Sequence, residues 1–335
     1  MRQVEIKGRR IGENEPTFII AEAGINHDGK VEQAKELIRK AAQIGADAIK
    51  FQIFTAEELA SKQSSYHKLF KSLELGKDKW VELAGLSERL GLIFFASSFG
   101  KESADLSQEL GMPVFKVASG ELTYLAFLEY LARKNKPIIL STGMGTIAEV
   151  DEALNVIYGA GNREVILLHC VSNYPADEKD TNLRAIETLK QVFQVPVGLS
   201  DHTEGVSIPV AAVALGANVI EKHFTLDKNL PGPDHKCSLT PDEFKQMIKN
   251  IRAVELALGN GVKVPSESEK EARDAARRSI IAKVDIAEGS IINEDMLKVV
   301  RPGTGIPPKY IDLIIGRKAK KDISAEEVLT WDKIG

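Results

Sequence analysis

Eight short runs of β-branched and aliphatic residues recur along this chain, each followed by an amphipathic segment. The runs are TFIIAEAG (17–24), DAIKFQIF (47–54), LIFFASSF (92–99), PVFKVASG (113–120), PIILSTGM (137–144), VILLHCVS (165–172), VPVGLSDH (195–202) and NVIEKHFT (218–225). Their apolar stretches are nearly continuous, the pattern of parallel strands buried on both faces. Between them, segments such as VEQAKELIRKAAQIGA and PDEFKQMIKNIRAVELALG carry apolar residues at three- and four-residue spacing, which predicts helices. Eight strand–helix repeats within residues 1–260 predict a (β/α)8 TIM barrel. A doubly wound sheet is the alternative, because counting repeats does not show closure.

Residues 1–16, with Gly8 and Gly12 as turn signals, are expected to form a hairpin that plugs the bottom of the barrel. The repeat pattern stops after Gly259. Residues 261–273 are polar and read as a linker. Residues 274–335 hold short runs broken by turn residues and are expected to form a small, mostly β module. Basic and acidic side chains are nearly balanced there, and the whole chain carries a net charge of −4. Neither value favours a nucleic-acid or anionic-membrane partner. No run reaches the ~20 apolar residues that span a bilayer. With no signal-like start and only Cys170 and Cys237, the expectation is a reduced, cytoplasmic enzyme.

Polar residues at the C-terminal ends of barrel strands read as catalytic, and nearly every predicted strand ends in one. They are Glu22, then Lys50 and Gln52, Ser97, then Lys116, Ser119 and Glu121, Ser141 with Thr142, then His169, Ser172 and Tyr174, Asp201 with His202, and finally Glu221 and His223. Lysine is almost never buried without a partner. Lys50 and Lys116 therefore read either as halves of buried ion pairs with Glu22 or Glu121, or as cations facing an anionic substrate beside Ser97, Ser119, Ser141 and Ser172. A Schiff-base lysine is a competing reading. His202 and His223 end neighbouring strands and suit a shared divalent ion. Two protein ligands leave positions for water and substrate, which favours octahedral Mn²⁺ or Mg²⁺ over a closed zinc site. His169 reads as a core residue and His27 as a support for the site, while His67 and His235 stay unassigned. Asp234, in PGPDHKCS (231–238), either meets sugar hydroxyls or makes an Asx turn.

In this order, IIAEAGINHDG, IKFQ, FKVASGE, ILSTGM, LLHCVSNYP, GLSDHT, EKHFT and PGPD resemble the N-acetylneuraminate synthase family, which includes legionaminate and pseudaminate synthases. The tail from about 274, with VVRPGTG, is similar to that family's C-terminal antifreeze-like (SAF) domain. IAEAGINH argues against the pseudaminate branch. The resemblance implies that His202 and His223 bind the metal, Mn²⁺ by preference with Mg²⁺ or Co²⁺ as alternatives. It implies that Lys50, Lys116, Ser97, Ser119, Ser141 and Ser172 cradle phosphoenolpyruvate, with Glu22 beside the reacting carbons and Glu121 and Glu221 as further acids. Gln52, Tyr174 and Asp234 become sugar contacts. Arg301 becomes an arginine that reaches the partner subunit's site in a domain-swapped homodimer. Three departures stand out. The loop between Lys50 and Trp80 is short and lacks an evident sugar-contacting asparagine, Ser98 stands where proline is common, and Lys222 where arginine is common.

The implied reaction joins C3 of phosphoenolpyruvate to the aldehyde carbon of an open-chain N-acyl amino sugar. Water adds to C2, and phosphate leaves with C–O cleavage. N-acetylmannosamine, giving N-acetylneuraminate, is the expected sugar, and 2,4-diacetamido-2,4,6-trideoxymannose, giving legionaminate, is the alternative. A pyruvate aldolase of the Schiff-base type, or a non-catalytic sugar- or ice-binding protein, are the readings from other classes.

Overall fold

The computed structural model describes residues 3–335. They divide into two compact units, one ending at Gly259 and the other beginning at Asn260.

The first unit opens with a hairpin of β1 (Val4–Ile6) and β2 (Arg9–Ile11). Its two-residue turn puts Lys7 at φ 50° and Gly8 at φ 81°, the pair of positive φ values that matches the twist of a tight hairpin. Val4, Ile6 and Ile11 join the barrel core, and Arg9 lies 3.7 Å from Asp47, just before the second barrel strand. The hairpin thus sits at the N-terminal end of the barrel.

Eight parallel strands follow: β3 (Phe18–Gly24), β4 (Ala48–Ile53), β5 (Ile93–Ser98), β6 (Phe115–Val117), β7 (Ile138–Ser141), β8 (Val165–Cys170), β9 (Val197–Asp201) and β10 (Val219–His223). Each pairs with the next, and β10 pairs with β3, so the sheet closes. The open-sheet alternative is ruled out. Helices cover the outer face. Val31–Gln43 buries Ala34, Leu37, Ile38 and Ala41 at helical spacing. Pro241–Leu258 starts with proline in its first turn behind Thr240, whose amide donates to Glu243 at 2.9 Å.

Two local expectations are corrected. The strand expected over 113–120 is only Phe115–Val117, and Ser119–Glu121 is a 3-10 turn. Beyond Val117 the ladder is replaced by a side chain, since the Gly143 amide donates to Ser119 Oγ at 3.1 Å. That substitution satisfies the backbone while the chain turns away. The segment 261–273, expected as a plain linker, holds a 3-10 turn at Glu267–Glu269 and the start of a helix, Lys270–Ala276. Ser266 and Glu269 form a capping box there, with the Ser266 amide donating to Glu269 at 2.8 Å.

The second unit pairs β11 (Ser279–Ala282) with β12 (Leu297–Val300) and adds isolated bridges such as Ile286 with Ile323. Its core gathers Ile280, Ile292, Ile306, Ile314 and Leu329. Among the described residues, no helix is long and apolar enough to cross a membrane.

Candidate active site

Side chains alternate along a strand, and that alternation sorts the mouth of the barrel. Lys50 and Gln52 on β4, Ser200 and His202 around the end of β9, and Glu221 and His223 on β10 share the inner face. With Glu22, Ser97, Lys116, Ser119, Ser141, Ser172 and Tyr174 they line one cleft of about 290 Å³. Larger hollows exist, such as one of about 890 Å³ beside Arg9 and Lys190. A hollow of about 780 Å³ in the second unit gathers as many ionisable groups, but its charged side chains are exposed. In the cleft Glu22, Lys50, Lys116, His202, Glu221 and His223 are all buried, and buried, convergent ionisable groups mark a candidate reactive site.

Charges at the floor are paired. Lys50 Nζ lies 2.6 Å from Glu22 and 3.7 Å from Glu221, and it donates to Ser97 at 2.9 Å. Lys116 Nζ donates to Ser141 at 2.7 Å and to the Val117 carbonyl at 3.0 Å, and lies 3.7 Å from Glu221. The acid facing Lys116 is therefore Glu221, not Glu121. The two lysine readings merge, because both lysines are ion-paired and both line the cleft.

The environments push these groups apart. Burial raises the Glu22 carboxyl to about 7, against Lys50 and with help from Glu221. Burial also works against charge on Glu221, yet Lys116 and Lys50 hold its carboxyl below the usual range. Lys50 is buried as well, but Glu22 and Glu221 keep its ammonium above the ordinary value. Burial draws Lys116 down. Glu121 is pushed by burial to about 7, and its Oε2 has no hydrogen-bond partner. Unlike carboxyls of this kind can divide proton-donating and charge-stabilising work.

His202 and His223 stand with ring centres 5.3 Å apart. His202 Nδ1 is 2.8 Å from the Val171 carbonyl. Donating there leaves its Nε2 lone pair free, the arrangement that prepares an imidazole for a metal. His223 Nδ1 is buried without a hydrogen-bond partner. Burial, reinforced by His202, holds the His223 pKa well below its usual value, so the ring is neutral and able to ligate. The donor set fits a divalent ion with an open coordination sphere. Among the described residues no group of three or more His, Cys, Asp and Glu is placed to hold a metal ion, so the protein side of such a site would be the two histidines alone. Tyr174 packs on His202 at 4.1 Å between ring centres, and Asp234 Oδ2 lies 4.0 Å from His223 Nδ1.

Several expected residues have other places. Thr142 spends its hydroxyl on the Leu168 carbonyl at 3.0 Å. His169, expected in the core, is half-buried and bonded to the Thr181 carbonyl at 2.6 Å. His27 is buried with ring centres 6.0 Å from Trp80 and 6.1 Å from Phe51, on the outward side of β4 and away from the lining of the cleft. His235 is buried between Thr225 at 2.6 Å and Asp28 at 3.2 Å, pinning the loop that carries Asp234. Arg301 is exposed in the second unit. Ser200 was not singled out from the sequence, yet it donates to Glu221 at 2.9 Å. Its place two residues before His202 was the available signal. Gly143 was missed too. A Cβ there would lie 2.4 Å from Ser172 Oγ and 2.7 Å from Ser119 Oγ, so only glycine leaves the two hydroxyls their space.

The NeuB family profile matches residues 37–263, and the SAF domain profile matches 277–335. The chain is 48% identical over 334 residues to an uncharacterized protein of Methanocaldococcus jannaschii, covering 100% of this chain and 99% of the relative. It is 42% identical to the N,N'-diacetyllegionaminic acid synthase of Legionella pneumophila, across 96% of each chain. The crystal structure of a sialic acid synthetase from Leptospira borgpetersenii, in complex with citrate, matches with a TM-score of 0.77 and 37% identity, covering 81% of this chain and 95% of that one. A closed barrel with this ring of ionisable groups, followed by a SAF domain, therefore belongs to the NeuB family of phosphoenolpyruvate-dependent synthases of nonulosonic acids.

Proposed function

We propose that this enzyme condenses phosphoenolpyruvate with an open-chain N-acyl amino sugar and water to give a nonulosonic acid and phosphate. The observation that carries the reading is the gathering of two buried lysines, Ser97, Ser119, Ser141 and Ser172 with two histidines in one cleft. Lys50 and Lys116, with Ser97, Ser119, Ser141 and Ser172, suit a bound phosphate and carboxylate. Glu22, next to Lys50, suits the carbon that gains positive charge as C3 of phosphoenolpyruvate attacks the aldehyde. Its carboxyl near 7 can hold or release a proton as water adds there. The lysines balance the departing phosphate. Glu121 is a further acid beside them. Gln52, Tyr174 and Asp234 are assigned to the sugar, with Glu221 reaching it from the floor between the two lysines. His202 and His223 would hold a divalent ion, Mn²⁺ by preference and Mg²⁺ or Co²⁺ otherwise, which would supply Lewis acidity for the aldehyde. Arg301 is assigned to the partner subunit's sugar in a homodimer.

N-acetylmannosamine is the first sugar of this reading. The 42% identity to a legionaminic acid synthase, against 37% to a sialic acid synthetase, favours 2,4-diacetamido-2,4,6-trideoxymannose as the second. The depressed Lys116 is also the direction imine chemistry needs, so the aldolase alternative is tested alongside. The experiment is phosphate release from phosphoenolpyruvate with Mn²⁺ and each sugar, with a chelator control. Release with one sugar and silence with the other identifies the substrate. Silence with both, or a borohydride-trapped adduct with pyruvate, rejects the assignment.

A further inference from the structure

Ser200 and His202 face the mouth, as do Glu221 and His223. By strand alternation Asp201 and Lys222 face the opposite way, into the layer between sheet and helices. They stand directly opposite one another in register, and Lys222 is 0% exposed. Lys222 donates to Asp201 Oδ2 and to the Thr203 carbonyl. Asp201 Oδ1 accepts from the Thr203 amide at 3.1 Å and from its hydroxyl at 2.9 Å. The network closes on itself, and its members flank His202 on both sides and directly precede His223.

Such a pair is an expensive way to fill an apolar layer. Well-packed hydrophobic residues of similar volume are often at least as stabilising. What the pair supplies is reach. β9 ends at Asp201, so His202 lies beyond the regular ladder. On the β8 side its carbonyl accepts from the Ala176 amide at 2.9 Å and its ring is held by Val171. On the β10 side, Lys222 replaces the missing ladder bond by crossing to Thr203. Tyr174 packs on both rings at the open side, and the Asp201–Lys222 pair ties the two strand ends together from behind.

We propose that Asp201, Lys222 and Thr203 form a clamp of positioning residues that sets the separation of His202 and His223 for a divalent ion. The inference rests on the reading that these histidines share a metal. It is tested by titrating the full-length protein with Mn²⁺, without substrates, and following free Mn²⁺ by electron paramagnetic resonance. Phosphoenolpyruvate affinity in chelator and the urea midpoint are measured in parallel. Lys222→Met is expected to weaken Mn²⁺ binding by about 10- to 100-fold, the range for an outer partner of a metal ligand. Phosphoenolpyruvate affinity, which depends on other strands, stays within about twofold, and Lys222→Arg restores Mn²⁺ binding. If Lys222→Met does not fold, the neutral double variant Asp201→Asn/Lys222→Gln, whose shorter side chain cannot cross to Thr203, is expected to show the same selective loss. Wild-type Mn²⁺ affinity in either variant, or Mn²⁺ and phosphoenolpyruvate affinities falling together, overturns the clamp. Wild-type protein that binds no Mn²⁺, or a His202→Ala/His223→Ala variant that binds it normally, overturns the metal reading and the clamp with it.

Discussion

His27 offers a quantitative test of how the barrel top is held. Its ring is fully buried between Phe51 and Trp80. Nδ1 accepts from the Gly29 amide at 3.0 Å, and Nε2 finds no partner. A proton on Nδ1 would break that bond and place a charge among aromatic rings, so burial lowers the pKa from 6.5 to about 4. A group depressed in the folded state contributes stability that is present above its unfolded pKa and lost as pH falls toward its folded pKa. Here the window runs from 6.5 down to about 4. At about 1.36 kcal/mol per unit, the loss comes to about 2 kcal/mol by pH 5 and about 3 kcal/mol by pH 4. His27→Asn keeps an acceptor near the Nδ1 position and removes the titration. Urea unfolding of both proteins, compared at pH 7, 5 and 4, cancels the other titrating groups. The stability gap between them should shrink by those amounts as pH falls. Trp80 emission, read in a Trp331→Phe background, should drop with the same low midpoint as the cation forms beside the indole. A gap independent of pH, or a Trp80 midpoint near 6.5, would refute this reasoning.

Other consequences concern catalysis directly. Lys116→Ala removes one preorganised donor and should cost about 10²–10³ in kcat; turnover within about tenfold of wild type removes Lys116 from the phosphate cradle. Gly143→Ala drives a methyl group between Ser119 and Ser172, so the KM for phosphoenolpyruvate should rise at least about tenfold with little change in unfolding midpoint, and an unchanged KM refutes the placement. If the Glu22 carboxylate is the working form, kcat/KM climbs with pH through about 7. Glu22→Gln should abolish that limb, and its persistence in the variant assigns it elsewhere. Mixing Arg301→Ala with Lys116→Ala subunits should restore activity, since each heterodimer has one site free of both lesions; no recovery after subunit exchange rejects the swapped arrangement.

Legibility in the sequence followed the physics of each level. The barrel was readable because its strands are apolar on both faces and its helices carry one apolar stripe. The mouth was readable because ionisable residues are costly inside such runs, so Lys50, Lys116, Glu221 and His223 stood out. Pairing was not readable. Register, which sets Glu22 beside Lys50 and Asp201 beside Lys222, depends on strand stagger around the closed sheet, and periodicity carries no information about stagger. Hence Glu121 was weighed as a lysine partner where Glu221 serves. His27 could not be placed from composition, since one histidine serves equally as aromatic filler or as a site residue. Gly143 was invisible because its contribution is the absence of a side chain.

Barrel closure also fixes when the enzyme can first exist. Glu22 on β3 and His223 on β10 are register neighbours, though they come from opposite ends of the first unit's sequence. A chain still emerging from the ribosome has the lysines, serines and Glu22 long before it has His223. Until β10 is made and seats against β3, the first strand lacks its flanking partner, and the floor lacks Glu221 to balance its cations. The last strand therefore acts as a checkpoint. A partly made barrel holds unbalanced charge at its centre, and the inner ring of the site is completed in a single step with the closing seam.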